Sequence, residues 1–327
     1  MMGVPGGLLR SSLILCALVI AFRIPVACAG PYPAGTVRIV VGFGPSSTAD
    51  TVARLVGKYL EEHLGKPFII ENRPGNSSML AAEAVARAPN DGRILFMATV
   101  ANTLNPAHIQ GGFDLGKDLQ PIALLGVVPN VLVANSSVPV KTVSELITLA
   151  KTNAGELTFA TSGIWTASYM AVELFNMKAG TKIVSVPYQG GANQALTDLL
   201  TGRINLMFNV AASLAPYVSS GKLTALAVGQ PKRTAIMPDV PTMEEAGLPG
   251  FDVGIWIGLL APAGTSPEII NLLAQASNDA LLEPSIRDAL KTQGIDVLGS
   301  TPAEFANFIQ NDIRKWKDLL ASTGLKE

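Results

Sequence analysis

The chain has 327 residues, 48% of them hydrophobic and 15% charged, and its 24 basic residues against 25 acidic ones give a net charge of −1. That length permits about two domains, and the near-neutral balance excludes a nucleic-acid partner, whose footprint needs a basic patch or a basic domain. The two histidines, His63 and His108, have no second His or Cys at ligand spacing, so no metal site is expected.

Residues 1–29 contain no acidic residue, carry Arg10, run apolar from Leu13 to Phe22 and end in Ala27-Cys28-Ala29. This is the pattern of a cleaved secretory signal, with cleavage expected after Ala29. Lipidation at Cys28 is the alternative, for which Pro25 is poorly placed. Cleavage removes Cys16 and Cys28 together, so the mature chain, 30–327, is expected to have neither disulfide nor thiol chemistry. No other apolar run reaches the roughly 18 residues of a membrane span.

In the mature chain Val37-Arg-Ile-Val-Val41 reads as a buried strand, stopped by Gly42, Gly44 and Pro45. Ser47 or Thr48 then caps a helix in which Val52, Leu55, Val56, Tyr59 and Leu60 recur at helical spacing up to Gly65. Free N–H groups and the positive dipole end meet at such a start and favour a carboxylate or phosphate. Gly42 and Gly44 do not extend to a dinucleotide fingerprint, because the third glycine would fall at Ser47, and no P-loop pattern occurs.

Further strands are expected at 68–71, 93–98, 122–127 and 131–134, with a helix over 80–88 and the pair 122–127 and 131–134 broken at Pro129. Thr142-Val-Ser-Glu145 reads as a capping box opening a helix to about Lys151. Strands at 157–160, 183–186, 204–208 and 223–228 follow, with helices through Phe175 and to near Gly202. Then come an apolar strand at 253–260 and a helical remainder, with Ser266-Pro267 and Thr301-Pro302 at two helix starts. Glu244-Glu245 is expected on a short solvated helix after Pro241. Alternation of strand and helix signals a parallel α/β architecture.

Two α/β sets, with a last strand and helices returning after the second, predict a bilobed molecule crossed twice by the chain. Lobe one is expected over 30–127 and 252–327, and lobe two over 128–251. Clefts form between such lobes, where strand ends and helix N-termini converge.

Several motifs, in order, carry a family resemblance: Tyr32-Pro, Arg38-Ile-Val-Val, Phe43, Pro45, Thr48 and Asp50, then Glu71-Asn-Arg-Pro-Gly75, Asp91-Gly92, Val186-Pro-Tyr-Gln-Gly-Gly191 and Asp239-Val-Pro-Thr242. Together they resemble the tripartite tricarboxylate transporter receptors, also called the Bordetella uptake gene family, over essentially the whole mature chain. The resemblance implies a periplasmic solute-binding protein of the type II bilobed (periplasmic-binding-protein-like) α/β fold, acting as a monomer without a cofactor. Such a protein closes on a small carboxylate and presents it to a membrane permease.

The family holds its ligand carboxylate with one loop from each lobe. Here the first corresponds to Phe43, Gly44, Pro45, Ser46, Ser47, Thr48 and Asp50. The second corresponds to Thr161, Ser162, Gly163, Trp165, Thr166 and Ser168, with Tyr188 and Gln189 facing the cleft from a third loop. The chain departs from the family pattern at Ser46 and Ser47, where glycines are usual, at Asn76-Ser-Ser78, at Trp165, where small residues are common, and at Tyr169, where a histidine often stands.

Some of these residues also admit a plainer role. Phe43 and Trp165 can equally be packing aromatics, and Asp50 can simply complement the helix dipole. Other functional classes are a ligand sensor for a membrane kinase or a secreted hydrolase. The latter lacks a G-x-S-x-G elbow.

Overall fold

The computed structural model describes residues 2–3, 32–104, 113–153, 155–161, 166–188 and 191–323. Apart from residues 2–3, the segment read as a signal peptide therefore lies outside the described residues.

The strands are β1 (Val37–Val41), β2 (Phe68–Asn72), β3 (Ile94–Thr99), β4 (Leu119–Val128), β5 (Asn130–Asn135), β6 (Thr158–Thr161), β7 (Val184–Pro187), β8 (Leu206–Val210), β9 (Leu223–Val228), β10 (Ile255–Pro262) and β11 (Asp296–Val297). Between them lie α1 (Thr48–Leu64), α2 (Met79–Ala86), α3 (Ala101–Leu104), α4 (Leu115–Asp118), α5 (Val143–Thr152), α6 (Ala167–Ala179), α7 (Gly191–Leu200), α8 (Ala211–Ser219), α9 (Pro267–Leu282), α10 (Pro284–Thr292) and α11 (Pro302–Thr323). Among the described residues no helix is long and apolar enough to cross a membrane.

Two sheets result, one for each lobe of a bilobed α/β fold. The first has the order β11-β4-β10-β3-β1-β2 and the second the order β7-β6-β8-β5-β9. The chain leaves the first sheet at the end of β4 and enters the second at β5, with Pro129 alone between them. A proline suits that junction because it has no N–H to give to either ladder. It returns between β9 and β10.

The parallel architecture expected from the sequence holds only in part. β1 is parallel to both β2 and β3, and β6 to both β7 and β8, but β10 runs antiparallel to β3 and β4, and β5 antiparallel to β8 and β9. The antiparallel members β4, β5 and β10 include the strands that carry the chain between sheets, so their direction is set by the crossing rather than by a helical return.

Helix starts follow the caps. Ser47 Oγ accepts from Asp50 N at 3.3 Å, and Ser266 Oγ from Ile269 N at 3.4 Å ahead of Pro267. Thr301 and Glu304 form a full capping box, with the Glu304 carboxylate taking Thr301 N at 2.8 Å and Thr301 Oγ1 taking Glu304 N at 3.2 Å. At α5 the box is shifted, because Glu145 reaches back to Lys141 N at 2.6 Å instead of Thr142 N.

Glu244-Glu245 lies in a turn and not on a helix. Glu245 makes the same box with Thr242 and pairs with Arg233 at 2.9 Å, but Gly247 (φ 93°) ends the turn at once. Helix α8, which contains Pro216, and the two-residue β11 had no signal in the sequence.

The core is built on these sheets. In the second, Phe159 stacks on Phe208 at 5.6 Å and Phe208 on Phe251 at 5.7 Å. In the first, Trp256 of β10 meets Phe305 and Phe308 of α11 edge-on at 5.7 and 5.9 Å. Burying each such ring contributes about 1.5–3 kcal/mol. Helix α11 packs on β4 and also against α6, so one continuous apolar cluster joins residues of both sheets. Tyr32 and Gly92, far apart in sequence, meet where the Tyr32 hydroxyl donates to Gly92 O at 2.8 Å.

Candidate functional site

The loop from β1 to α1 is held by one carboxylate. Asp50 Oδ2 accepts from Ser46 N and Arg54 Nε, and Oδ1 from Arg54 Nη2 and Asn72 Nδ2, all at 2.9 Å. Asn72, at the end of β2, also donates to Phe43 O at 3.0 Å. This web fixes Ser46 in the left-handed region (φ 64°), where glycine is the usual residue. Asp50 was placed with the ligand contacts; it is 2% exposed with both oxygens engaged, so it braces the loop instead.

Burial raises the pKa of Asp50, but the hydrogen bonds from Arg54, Asn72 and Ser46 N outweigh it and hold the carboxyl below its ordinary value. A carboxyl depressed in the folded state stabilises it above the unfolded-state pKa, and that stability is lost as pH falls through the folded value. Asp50→Asn is accordingly expected to lower stability at neutral pH and to flatten the acid limb of a plot of melting temperature against pH. An unchanged acid limb would remove the brace from the account.

Beside this loop, Asn76, Ser77 and Ser78 follow one another with φ of 44°, 48° and 76°. Left-handed backbone costs a non-glycine residue about 1–2 kcal/mol each, so the run is held by its surroundings. Ser78 is fully buried against Gly42, and its Oγ has no hydrogen-bond partner.

A hollow of about 230 Å³ opens between the two sheets. Phe43, Ser77, Thr99, Val100, Ala101 and Leu104 line it from the first, Thr166 and Ala167 from the start of α6, and Ile255 from β10. Among the described residues that line it none is charged. Thr166 caps α6, its Oγ1 accepting from Tyr169 N at 3.3 Å and lying 3.1 Å from Ser168 Oγ. Thus the loop that feeds α1 and the N-terminus of α6 border one space in which no described lining residue is charged, and both helix dipoles present their positive ends there. At the end of β6, Thr161 is fully buried with Oγ1 unpartnered.

Of the residues singled out in the sequence, Phe43 and Thr166 line the hollow. Gly44, Pro45, Ser46, Ser47 and Thr48 form the loop and helix start next to Phe43, and Ser168 sits in the first turn of α6. Ser162, Gly163, Trp165 and Gln189 lie outside the described residues. Tyr188 is elsewhere: its hydroxyl donates to Asp198 Oδ2 at 2.9 Å and its ring packs in the core of the second sheet. Burial first, then the Asp198 carboxylate, push its pKa up to about 12; the hydroxyl's bond to Asp198 ties it to α7, and it is not among the described residues that line the hollow. Thr99, Leu104 and Ile255 had no signal of their own and Ser77 showed only within the departure at Asn76-Ser-Ser78, since only the fold brings them to Phe43. Among the described residues no cluster of His, Cys, Asp or Glu could hold a metal.

Comparison with known proteins bears on the family and the fold. The family model described as tripartite tricarboxylate transporter family receptor matches residues 52–325. The chain is 32% identical to protein BugT of Bordetella pertussis, over 91% of this chain and 92% of that one. Among solved structures it is similar to malate-bound MatC of Rhodopseudomonas palustris (33% identity, 88% of this chain and 100% of that chain, TM-score 0.69). A second R. palustris protein, solved with adipate, is 31% identical over 90% of this chain and 99% of that chain, with a TM-score of 0.72. A ligand-free TctC solute-binding protein from Polaromonas is 27% identical over 89% of this chain and 99% of that chain, with a TM-score of 0.82.

Proposed function

Because the chain belongs to the tripartite tricarboxylate transporter receptor family, whose members are periplasmic solute-binding receptors, we propose that it captures a small carboxylate between its lobes and delivers it, chemically unchanged, to a membrane permease of that transporter type. The observation that carries this reading is the uncharged hollow bordered on one side by the loop feeding α1 and on the other by the N-terminus of α6. An anion entering there meets two positive dipole ends, and no carboxylate stands among the described residues that line the hollow. The two R. palustris relatives were solved with malate and adipate, which supports a carboxylate as the ligand class here.

In this reading lobe one comprises 30–127 and 252–327 and lobe two 128–251, the signal is removed after Ala29, and the mature chain works as a monomer in the periplasm. Ser46, Ser47 and Thr48 supply amides and hydroxyls from lobe one, and Thr161, Ser162, Gly163, Thr166 and Ser168 from lobe two. Phe43 and Trp165 flank the ligand body.

A ligand that binds only the folded state raises its melting temperature by RT ln(1 + [L]/Kd). The mature protein is therefore expected to be stabilised by carboxylic acids and not by the matching carboxamides. A shift of equal size with the amides would reject anion capture. Because the ligand bridges both lobes, saturating carboxylate is also expected to reduce the radius of gyration in solution scattering, with the compound recovered intact. Turnover of the compound would restore the hydrolase reading.

A further inference from the structure

A second cavity, of about 360 Å³, lies at the chain crossings and not at the loop of α1. Leu124 and Val127 of β4, Trp256 of β10, Val297 and Leu298 at β11 and Phe308 of α11 form its apolar walls. Gln230, just after β9, also lines it. That side chain is 4% exposed, and its Nε2 has no hydrogen-bond partner. A buried amide N–H without a partner is uncommon in a folded protein and calls for an explanation.

The charged groups around the cavity are unevenly satisfied. Arg233 is committed to Glu245 and to Pro238 O. Asp312 is committed to Thr103, Trp256 and Lys315, and Lys315 also donates to Asp252 O at 2.6 Å. Lys232 is exposed to solvent. Asp252 and Asp296 are half-buried: the first accepts from Gly254 N at 3.2 Å and feels the charge of Lys315, whose ammonium is bonded to Asp312 and to Asp252 O, and the second accepts from the Thr234 hydroxyl. Burial pushes both carboxyls above their ordinary value, which means that water does not fully stabilise their charge.

We propose that this cavity is a second binding site, distinct from the carboxylate cleft, for a small organic amine with an apolar body: its ammonium pairs with Asp252 and Asp296, and a neighbouring acceptor atom takes the Gln230 Nε2–H. A cation supplies what the two acids lack, the apolar walls accept the body, and the orphaned amide gains its partner. The volume lies within the range of small-molecule sites.

The test uses the mature protein with 2-amino-1-phenylethanol as probe, its hydroxyl being the acceptor beside the ammonium, and the alcohol 1-phenylethane-1,2-diol and the acid mandelate as neutral and anionic counterparts, followed by amide chemical shifts in NMR titrations. The expected result is saturable shifts at Gly254, Val297 and Leu298 with the amine, at least tenfold tighter than with the alcohol, and none there with the acid. The Asp252→Asn, Asp296→Asn double variant is expected to lose that tenfold advantage while keeping its melting temperature, since burial already disfavours both charges. Three results would overturn the proposal: no saturation at millimolar amine, equal binding of the alcohol, or unchanged amine affinity in the double variant.

Discussion

Gly42→Ala is expected to weaken carboxylate binding at least tenfold and to destabilise the protein by about 1–3 kcal/mol, the range of an overpacked core site. A Cβ on Gly42 would stand 1.9 Å from Ser78 Oγ, 2.4 Å from its Cβ and 2.7 Å from its Cα. A flexible side chain can turn away from such an approach, but the backbone atom cannot. Ser78 ends the left-handed run that begins at Asn76, so the whole run has to shift. Ser77 in that run lines the hollow together with Phe43, which adjoins Gly42, so the displacement passes into the ligand loop.

Gly44→Ala provides the control. It lies in the same loop, its φ is outside the left-handed region, and a Cβ there meets nothing within 4 Å. The melting temperature of Gly44→Ala is expected to match the parent, and any loss of binding to be smaller than that of Gly42→Ala. Equal effects at the two glycines, read by calorimetric titration and thermal melts, would mean that the contact with Ser78 does not position the loop.

Asp312→Ala is expected to have the largest effect on stability away from the ligand, about 3 kcal/mol. Asp312 is 5% exposed, and it accepts from Thr103 Oγ1 of α3 at 2.5 Å, Trp256 Nε1 of β10 at 2.9 Å and Lys315 Nζ at 2.6 Å. Breaking a buried pair by removing one partner costs about 3–5 kcal/mol. The lower end applies because Lys315 keeps some contact with water, its side chain being 21% exposed. At about 2–4 °C per kcal/mol for a chain approaching this size, the melting temperature should fall by about 6–12 °C. Asp312→Asn, which keeps an acceptor for the indole, is expected to recover part of that loss. A fall of under one degree in the alanine variant would show that α11 is held by its aromatic contacts alone.

The sequence announced those parts of the molecule whose signals are local. β1, β9 and the helix starts at Ser47, Ser266 and Thr301 follow from apolar runs and from caps that act within three residues. Strand direction was not legible, because a run such as 255–262 reads the same whether it lies parallel or antiparallel to its neighbours. Helix α8 was hidden by Pro216, whose ring normally breaks a helix.

In the site, the loop at 43–48 was visible as a strand end feeding a capped helix. The bracing role of Asp50 was not, because it depends on Asn72, brought alongside by the pairing of β1 with β2. Ser77 and Ser78 were visible only as a departure from a glycine-rich pattern, with no sign that they would adopt glycine's backbone region. Tyr188 looked like a cleft residue from its glycine-bounded loop, but its partner Asp198 lies on α7, ten residues further on.

The central claim is that the helix-terminus loops select one carboxylate and that the uncharged hollow accepts an apolar body behind it. Phe43 offers that body an aromatic contact worth roughly 0.5–1.5 kcal/mol beyond area burial, while a second or third unpaired charge in the hollow would be costly. The direct test is calorimetric titration of the mature protein with benzoate, hexanoate, adipate, citrate and benzamide. The account predicts that benzoate or hexanoate binds at least tenfold more tightly than citrate and that benzamide does not bind. Citrate binding more tightly than either monocarboxylate, or benzamide binding as well as benzoate, would contradict it.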